Sequence, residues 1–227
     1  MISFKHIKLF LFLFLIPLKV LADTSVGTPV ATVNVTSNGA ATYNLSFEIP
    51  NGGGFHPQIG LAYSSQSAGY GNAGYGFNIT GISVITSGGR NIYYDGQVKG
   101  AEYLANSSFY LDGKRLILES GTEGKKGAIY TIEGDPYTKV NVDGYWDNSS
   151  VSLRFEVVTQ DGTTYRYGYN DSSRLTFSQN GKARCSAWYI DEAVDRYNNI
   201  INYTYTKMVY QYYLKKSFMV LIHILEE

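Results

Sequence analysis

Cysteine is almost absent. The 227 residues include a single one, Cys185, which excludes an internal disulfide and any metal site built on several thiolates. Histidine is nearly as scarce. His6, His56 and His223 are too few and too scattered for a His-rich site. Charged residues make up 17% of the chain, against about 25% in average globular usage. Lys+Arg and Asp+Glu balance at 19 each. Without Lys5, Lys8 and Lys19 of the first 22 residues the balance becomes 16 against 19, a net charge of −3. A nucleic-acid interface built on a basic face is thereby excluded, because phosphate neutralisation needs clustered Lys and Arg. No apolar run approaches the roughly twenty residues that span a bilayer. Glycine and tyrosine fill the space instead, 24 and 21 of them.

The two ends differ from the middle. Residues 1–22 read as a secretory signal: Lys5, His6 and Lys8 start it, Leu9 to Ile16 is unbroken and apolar, and Val20-Leu21-Ala22 forms a small-residue exit before Asp23. The mature chain is therefore expected to be secreted or extracytoplasmic, meeting a membrane only through this export signal. Residues 207–227 form an atypical tail. Phe218 to Leu225 has neither alternation nor a turn residue. It suits a buried closing strand and equally suits out-of-frame translation after a coding break, leaving a truncated product.

Between the ends, residues 23–206 read as one β-rich domain. Four Asp-Gly pairs (95–96, 112–113, 143–144, 161–162) and three Asn-Gly pairs (38–39, 51–52, 180–181) predict two-residue hairpins, whose central residues both need positive φ. The steps from 143 to 161 to 180 each leave room for a pair of strands. Tyr43, Leu45, Phe47 and Ile49 alternate onto one face, and so do Leu153, Phe155 and Val157. The same alternation aligns Tyr165, Tyr167 and Tyr169, and then Ile201, Tyr203 and Tyr205. A short helical turn is expected only near Asp191-Glu192-Ala193-Val194. The predicted fold is all-β: a meander of antiparallel hairpins forming a twisted sheet or a strip-like β-shell segment.

Motifs for chemistry are thin. Gly69-Tyr70-Gly71-Asn72-Ala73-Gly74 matches GxGxxG, but Phe77 to Ile85 after it reads as a strand, where a dinucleotide site needs a helix. The glycines then serve a turn in which backbones approach closely. Lys139 to Gly144 resembles a calcium loop with a lysine at its first ligand position and no closing glutamate. Asp191, Glu192 and Asp195 form the densest acidic cluster, a candidate general acid–base set for a hydrolase; a solvated loop is the other reading. Seven Asn-x-Ser/Thr triplets begin at Asn34, Asn44, Asn78, Asn106, Asn148, Asn170 and Asn202. The tyrosines suit inter-sheet packing, or a surface that stacks carbohydrate. No cofactor is expected.

One combination of motifs resembles a known family. It begins with the Tyr43 strand ending at Pro50, the loop through Gly54, and Pro57-Gln58-Ile59-Gly60-Leu61-Ala62-Tyr63-Ser64-Ser65. Gly71, Gly74, Gly76, Phe77 and Gly81 follow. Asp112-Gly113 lies in Leu111-Asp112-Gly113-Lys114-Arg115-Leu116, and Trp188-Tyr189-Ile190 leads to Asp195 and Asn199. Over roughly residues 30–206 this is similar to the N-terminal domain of the SpvB family, which also opens Tc insecticidal toxin B components and RHS-type secreted proteins. The chain departs from the pattern with Phe77 where a tryptophan is usual and Thr86 near a usual arginine. The resemblance implies a β-rich leading module, acting without catalysis as scaffold in a toxin whose β-shell encloses its cargo. Its partners would be other segments or subunits of an RHS/Tc-like assembly. The family's ADP-ribosyltransferase pattern with Glu-x-Glu, and the shell's Tyr-Asp-x-x-Gly-Arg repeats, are absent from this sequence. The alternative is a surface carbohydrate-binding or adhesion module using a Tyr-rich face.

Overall fold

The computed structural model describes residues 31–49, 55–71, 73–205 and 223–225. The expected signal, Pro50, Gly54, the Asn51-Gly52 pair and residues 207–222 and 226–227 of the tail lie outside them. Six strands form the first sheet: β1 (Ala31–Val35), β2 (Ala41–Ser46), β3 (Gly60–Ser64), β4 (Tyr70–Gly71), β5 (Gly74–Tyr75) and β6 (Phe77–Thr80). Their order is β1-β2-β3-β6-β5-β4, all antiparallel. The run from Phe77 to Ile85 is not one strand. It breaks at Gly81, whose φ of 84° turns the chain out of the first sheet and into the second. A Cβ there would lie 1.7 Å from the Gln58 carbonyl oxygen, so only glycine lets the backbones pass.

The second sheet contains β7 (Val84–Gly88), β8 (Ser108–Leu111), β9 (Lys114–Ser120), β10 (Ile129–Ile132), β11 (Asp135–Asp143), β12 (Arg154–Val158), β13 (Thr164–Tyr167), β14 (Arg174–Gln179), β15 (Lys182–Val194), β16 (Ile200–Thr204) and β17 (His223–Leu225). Consecutive strands from β7 to β13 pair as a meander. The 13-residue β15 then bridges the two ends of that meander. One of its edges takes β7 at Ala187–Tyr189 and β16 at Glu192–Val194; the other takes β14 and then β13. Eight strands thus close into a barrel, where the sequence led us to expect an open strip or sheet. Closure needs long-range pairing between β15 and both β7 and β13, and no local pattern encodes that. β17, from the tail, pairs with β16.

Eight strands leave an interior that side chains can fill. Phe109, Phe155, Trp188 and Tyr130 occupy it with Ile85, Val140, Leu153 and Val157, all essentially inaccessible. The aromatic rings meet edge to face: Trp188 lies 5.2 Å from Phe155, 5.6 Å from Phe109 and 5.7 Å from Trp146. The Trp188 indole N–H donates to the Leu153 carbonyl at 2.7 Å. Phe55, from the β2–β3 connection, and Ile82, from the segment joining the two sheets, pack against the same core.

Helix appears where it was not expected. The single α-helical turn among the described residues, α1 (Ile92–Asp95), is capped by Asn91 and ended by left-handed Gly96. Asp191 to Val194 belong instead to β15, because that segment closes the barrel. Asp95-Gly96 is therefore a helix end and not a hairpin. Asp112-Gly113 and Asn180-Gly181 are the two-residue turns, with both φ angles positive. Asn38-Gly39 and Asp161-Gly162 lie in five-residue loops, 36–40 and 159–163, closed by the same pair of backbone bonds. Loop 195–199 repeats them, with Asn198 in the left-handed place of the glycine. Asp143-Gly144 ends β11 without a tight turn. The interval from 143 to 161 holds one five-residue strand, β12, whereas that from 161 to 180 holds β13 and β14.

Candidate interaction surface

The register of the first sheet sorts its residues by chemistry. Ala31, Val33 and Val35 of β1 oppose Leu45, Tyr43 and Ala41 of β2; Tyr43 and Leu45 oppose Tyr63 and Leu61 of β3; these oppose Phe77 and Ile79 of β6. Directly opposed residues share a face, so one side of four adjacent strands is wholly apolar. The other side carries Thr32, Asn34, Thr42, Asn44, Ser46, Ser64, Asn78 and Thr80. A face of this composition ordinarily packs into a core. Here Val33 and Val35 are 73% and 66% exposed, and Tyr43, Leu45, Leu61 and Tyr63 are only half-buried. The alternation of Tyr43, Leu45 and Phe47 is real, but nothing among the described barrel strands packs extensively on it.

Several family-signature residues shape this sheet. Tyr63 and Phe77 stack at 4.7 Å across β3 and β6. A Cβ on Gly76 would lie 2.7 Å from the Tyr63 ring, and one on Gly71 would lie 2.0 Å from the Phe77 carbonyl oxygen. Gly74 holds the β4–β5 turn at φ 125°, and Pro57 is buried. The segment after the GxGxxG match is a strand, β6, so no helix N-terminus faces these glycines. The remaining signature residues belong to the barrel. Asp112 accepts from the Ser83 hydroxyl at 2.6 Å and the Val84 N–H at 2.8 Å, tying the β8–β9 turn to β7, and Gly113 completes that turn. Trp188 fills the core. Asp195 and Asn199 clamp the β15–β16 loop: Asp195 accepts the Tyr197 and Asn199 N–H groups, both at 2.8 Å, and the Asn199 side-chain amide at 2.7 Å.

The acidic cluster is dispersed by the fold. Asp191 is the extra residue of a β-bulge, since Arg166 pairs with Glu192 and Tyr167 with Ile190. Its carboxylate is buried against residues 169–173. There it accepts the Tyr169 N–H at 2.5 Å, the Asn170 side-chain amide at 2.9 Å and the Ser173 hydroxyl at 2.8 Å, with the Asn170 N–H at 3.4 Å. Burial raises its pKa, and those hydrogen bonds only partly oppose the rise. Glu192 points to the opposite side and pairs with Arg166, which also reaches Glu156 at 3.3 Å. Asp195 works in its loop. The three carboxylates therefore do not converge on one space.

A charge network that the sequence analysis did not single out runs across the outside of the barrel. Asp143 pairs with Arg154 and with Lys126 at 2.9 Å. Hydrogen bonds from Lys126 and Arg154 hold its carboxyl well below the usual range. Tyr169 was expected beside Tyr165 and Tyr167, but it follows left-handed Gly168 and lies under Arg154 at 4.8 Å and Arg166 at 5.9 Å. Only the cross-strand register could reveal these neighbours. Burial pushes the Tyr130 and Tyr203 phenols up to about 12. The exposed tyrosines, Tyr75, Tyr93, Tyr137, Tyr145 and Tyr197, are spread over separate elements. An open groove of about 520 Å³ lies between the β14–β15 hairpin and residues 148–151. Its arginine, Arg174, is already held by the Gly168 carbonyl and Asp171. Among the described residues no three His, Cys, Asp or Glu side chains group as a metal site.

Comparison with known proteins fits this architecture. The family model described as Salmonella virulence plasmid 65kDa B protein, SpvB, matches residues 35–211. No curated protein sequence matches the chain. The crystal structure of TcdB2-TccC3 is similar over 85% of this chain and 10% of that one, at 16% identity and a TM-score of 0.61. The Photorhabdus luminescens Tc holotoxin pore is similar over 82% and 9%, at 16% identity and a TM-score of 0.56. The N-terminal domain of effector protein SpvB from Salmonella typhimurium strain LT2 is similar over 69% and 52%, at 19% identity and a TM-score of 0.50. The chain thus spans about a tenth of the toxin chains it resembles and about half of the effector domain. With most of its length matched by the family model, the chain belongs to the SpvB family.

Proposed function

We propose that this chain is a non-enzymatic scaffold module of a secreted SpvB/Tc-B/RHS-type toxin protein, contributing to a β-shell for toxin encapsulation or export. Family membership and the shared fold with a chain of TcdB2-TccC3 support the toxin context. The observation that carries the scaffold reading is how the polar groups are used. Asp112, Asp191, Asp195 and Asn199 each spend their hydrogen bonds on a turn, a bulge or a loop. The barrel interior is filled with side chains, and the first sheet waits for a layer to cover it. Other segments or subunits of the toxin assembly are the partners, and the export signal takes the chain out of the cytoplasm.

Fractionating cultures of the producing organism tests this. The chain should leave the cytoplasm and elute in a large particle together with another toxin polypeptide. Recovery as a free cytoplasmic monomer would contradict the reading.

A further inference from the structure

The apolar side of the first sheet, which no other described strand covers, is the strongest unassigned feature of the molecule. It is built by Val33, Val35, Tyr43, Leu45, Leu61 and Tyr63, in unbroken register and with no charged residue among the opposed pairs. An exposed apolar patch bordered by polar residues marks an interaction site. The opposite side, with Asn34, Thr42, Asn44 and Ser46, is suited to water.

We propose that this side is the docking face for a second β-sheet, presented by another polypeptide of the toxin assembly through an uncharged, apolar face of its own. The inference rests on the functional reading above. Four strands at about 4.8 Å spacing and five residues at about 3.3 Å make a face of roughly 19 by 17 Å. A single helix, about 10 Å across, covers only half of that width. A sheet stacked about 10 Å away covers all of it, with interdigitating side chains. A charged group on the partner would be desolvated against this face without an opposite charge to meet, so the partner's face is apolar too. A second copy of this chain is a poor occupant. Two such faces bury roughly 650 Å² by the same dimensions, about half of what a stable interface needs. The partner is therefore held by additional contacts as well.

Photo-crosslinking of the full chain in the producing organism tests the proposal. Leu45→benzoylphenylalanine places the probe on the apolar side; Asn44→benzoylphenylalanine, one residue away on the same strand, places it on the polar side. The expected result is an adduct from position 45, at least tenfold more abundant than from position 44. Its crosslinked peptide should alternate apolar and polar residues and belong to another polypeptide; an adduct within this chain would overturn the proposal. An adduct joining two copies of this chain, equal yields from both positions, or no adduct from a chain with unchanged circular dichroism would overturn it. An alternating apolar strand from a polypeptide unrelated to toxins would support the docking face while removing the toxin reading.

Discussion

Replacing Asp191 separates a structural carboxylate from a catalytic one. Asp191→Ala leaves the Tyr169 N–H, the Asn170 amide and the Ser173 hydroxyl without their shared acceptor inside the barrel wall. Removing one partner from a buried, charged network costs about 3–5 kcal/mol. With a urea m-value of about 2 kcal/mol/M, the midpoint falls by roughly 2 M. Asp191→Asn keeps the shape and one accepting oxygen, so its cost is smaller, about 1–2 kcal/mol. The pH dependence adds a sign. The folded pKa of Asp191 is raised, so its contribution is fully present below the unfolded pKa and is lost as pH rises through the folded one. The stability gap between the parent and Asp191→Asn should therefore narrow from pH 3 toward pH 7. Urea unfolding followed by circular dichroism, at a series of pH values, reads both effects. An alanine variant within about 0.5 kcal/mol of the parent, or a gap that widens with pH, would refute the reasoning.

Three further changes probe the barrel. Trp188→Ala removes ring contacts with Phe109, Phe155 and Trp146 and should cost about 3–5 kcal/mol in denaturant unfolding, while Trp188→Phe should cost markedly less. Gly168→Ala forces a Cβ to 2.3 Å from the Trp188 ring at a φ of 71°, whereas Gly113→Ala meets open space at a φ of 83°. Thermal melts should show the first costing at least about 2 kcal/mol and the second about 1. The buried Arg115–Asp95 pair, 2.7 Å apart and flanked by the Tyr94 ring at 5.1 Å, fastens α1 to β9. Arg115→Met strands the carboxylate and should cost about 3 kcal/mol, part of which Arg115→Met with Asp95→Asn recovers in a double-mutant cycle.

Strand content and sidedness were legible in the sequence because period-2 alternation reports burial directly. Leu153, Phe155 and Val157, and Ile201, Tyr203 and Tyr205, point inward as the pattern requires. The alternation of Tyr43 and Leu45 was equally visible, yet periodicity tells which residues share a side and not whether anything covers it. Turn type was half legible. Asp-Gly and Asn-Gly announce positive φ, which a two-residue hairpin, a five-residue loop and a helix end all use. Barrel closure was not legible, since it depends on β15 pairing with strands about 100 and 25 residues earlier. The fate of the acidic cluster followed from that closure. The bulge at Asp191 breaks the alternation and sends neighbouring carboxylates to opposite sides of one strand. α1 was missed because Ile92 to Asp95 has no periodic run; Asn91, a good N-cap, was the available signal.

Amide hydrogen exchange on the full chain, free and within the purified toxin particle, bears most directly on whether this module completes its fold by joining a larger β structure. Amides of β15 and its barrel partners should exchange slowly in both states, while those of β1, β2 and β3 slow at least tenfold only in the particle. Equal exchange of the first sheet in the two states, or barrel amides protected only in the particle, would contradict it.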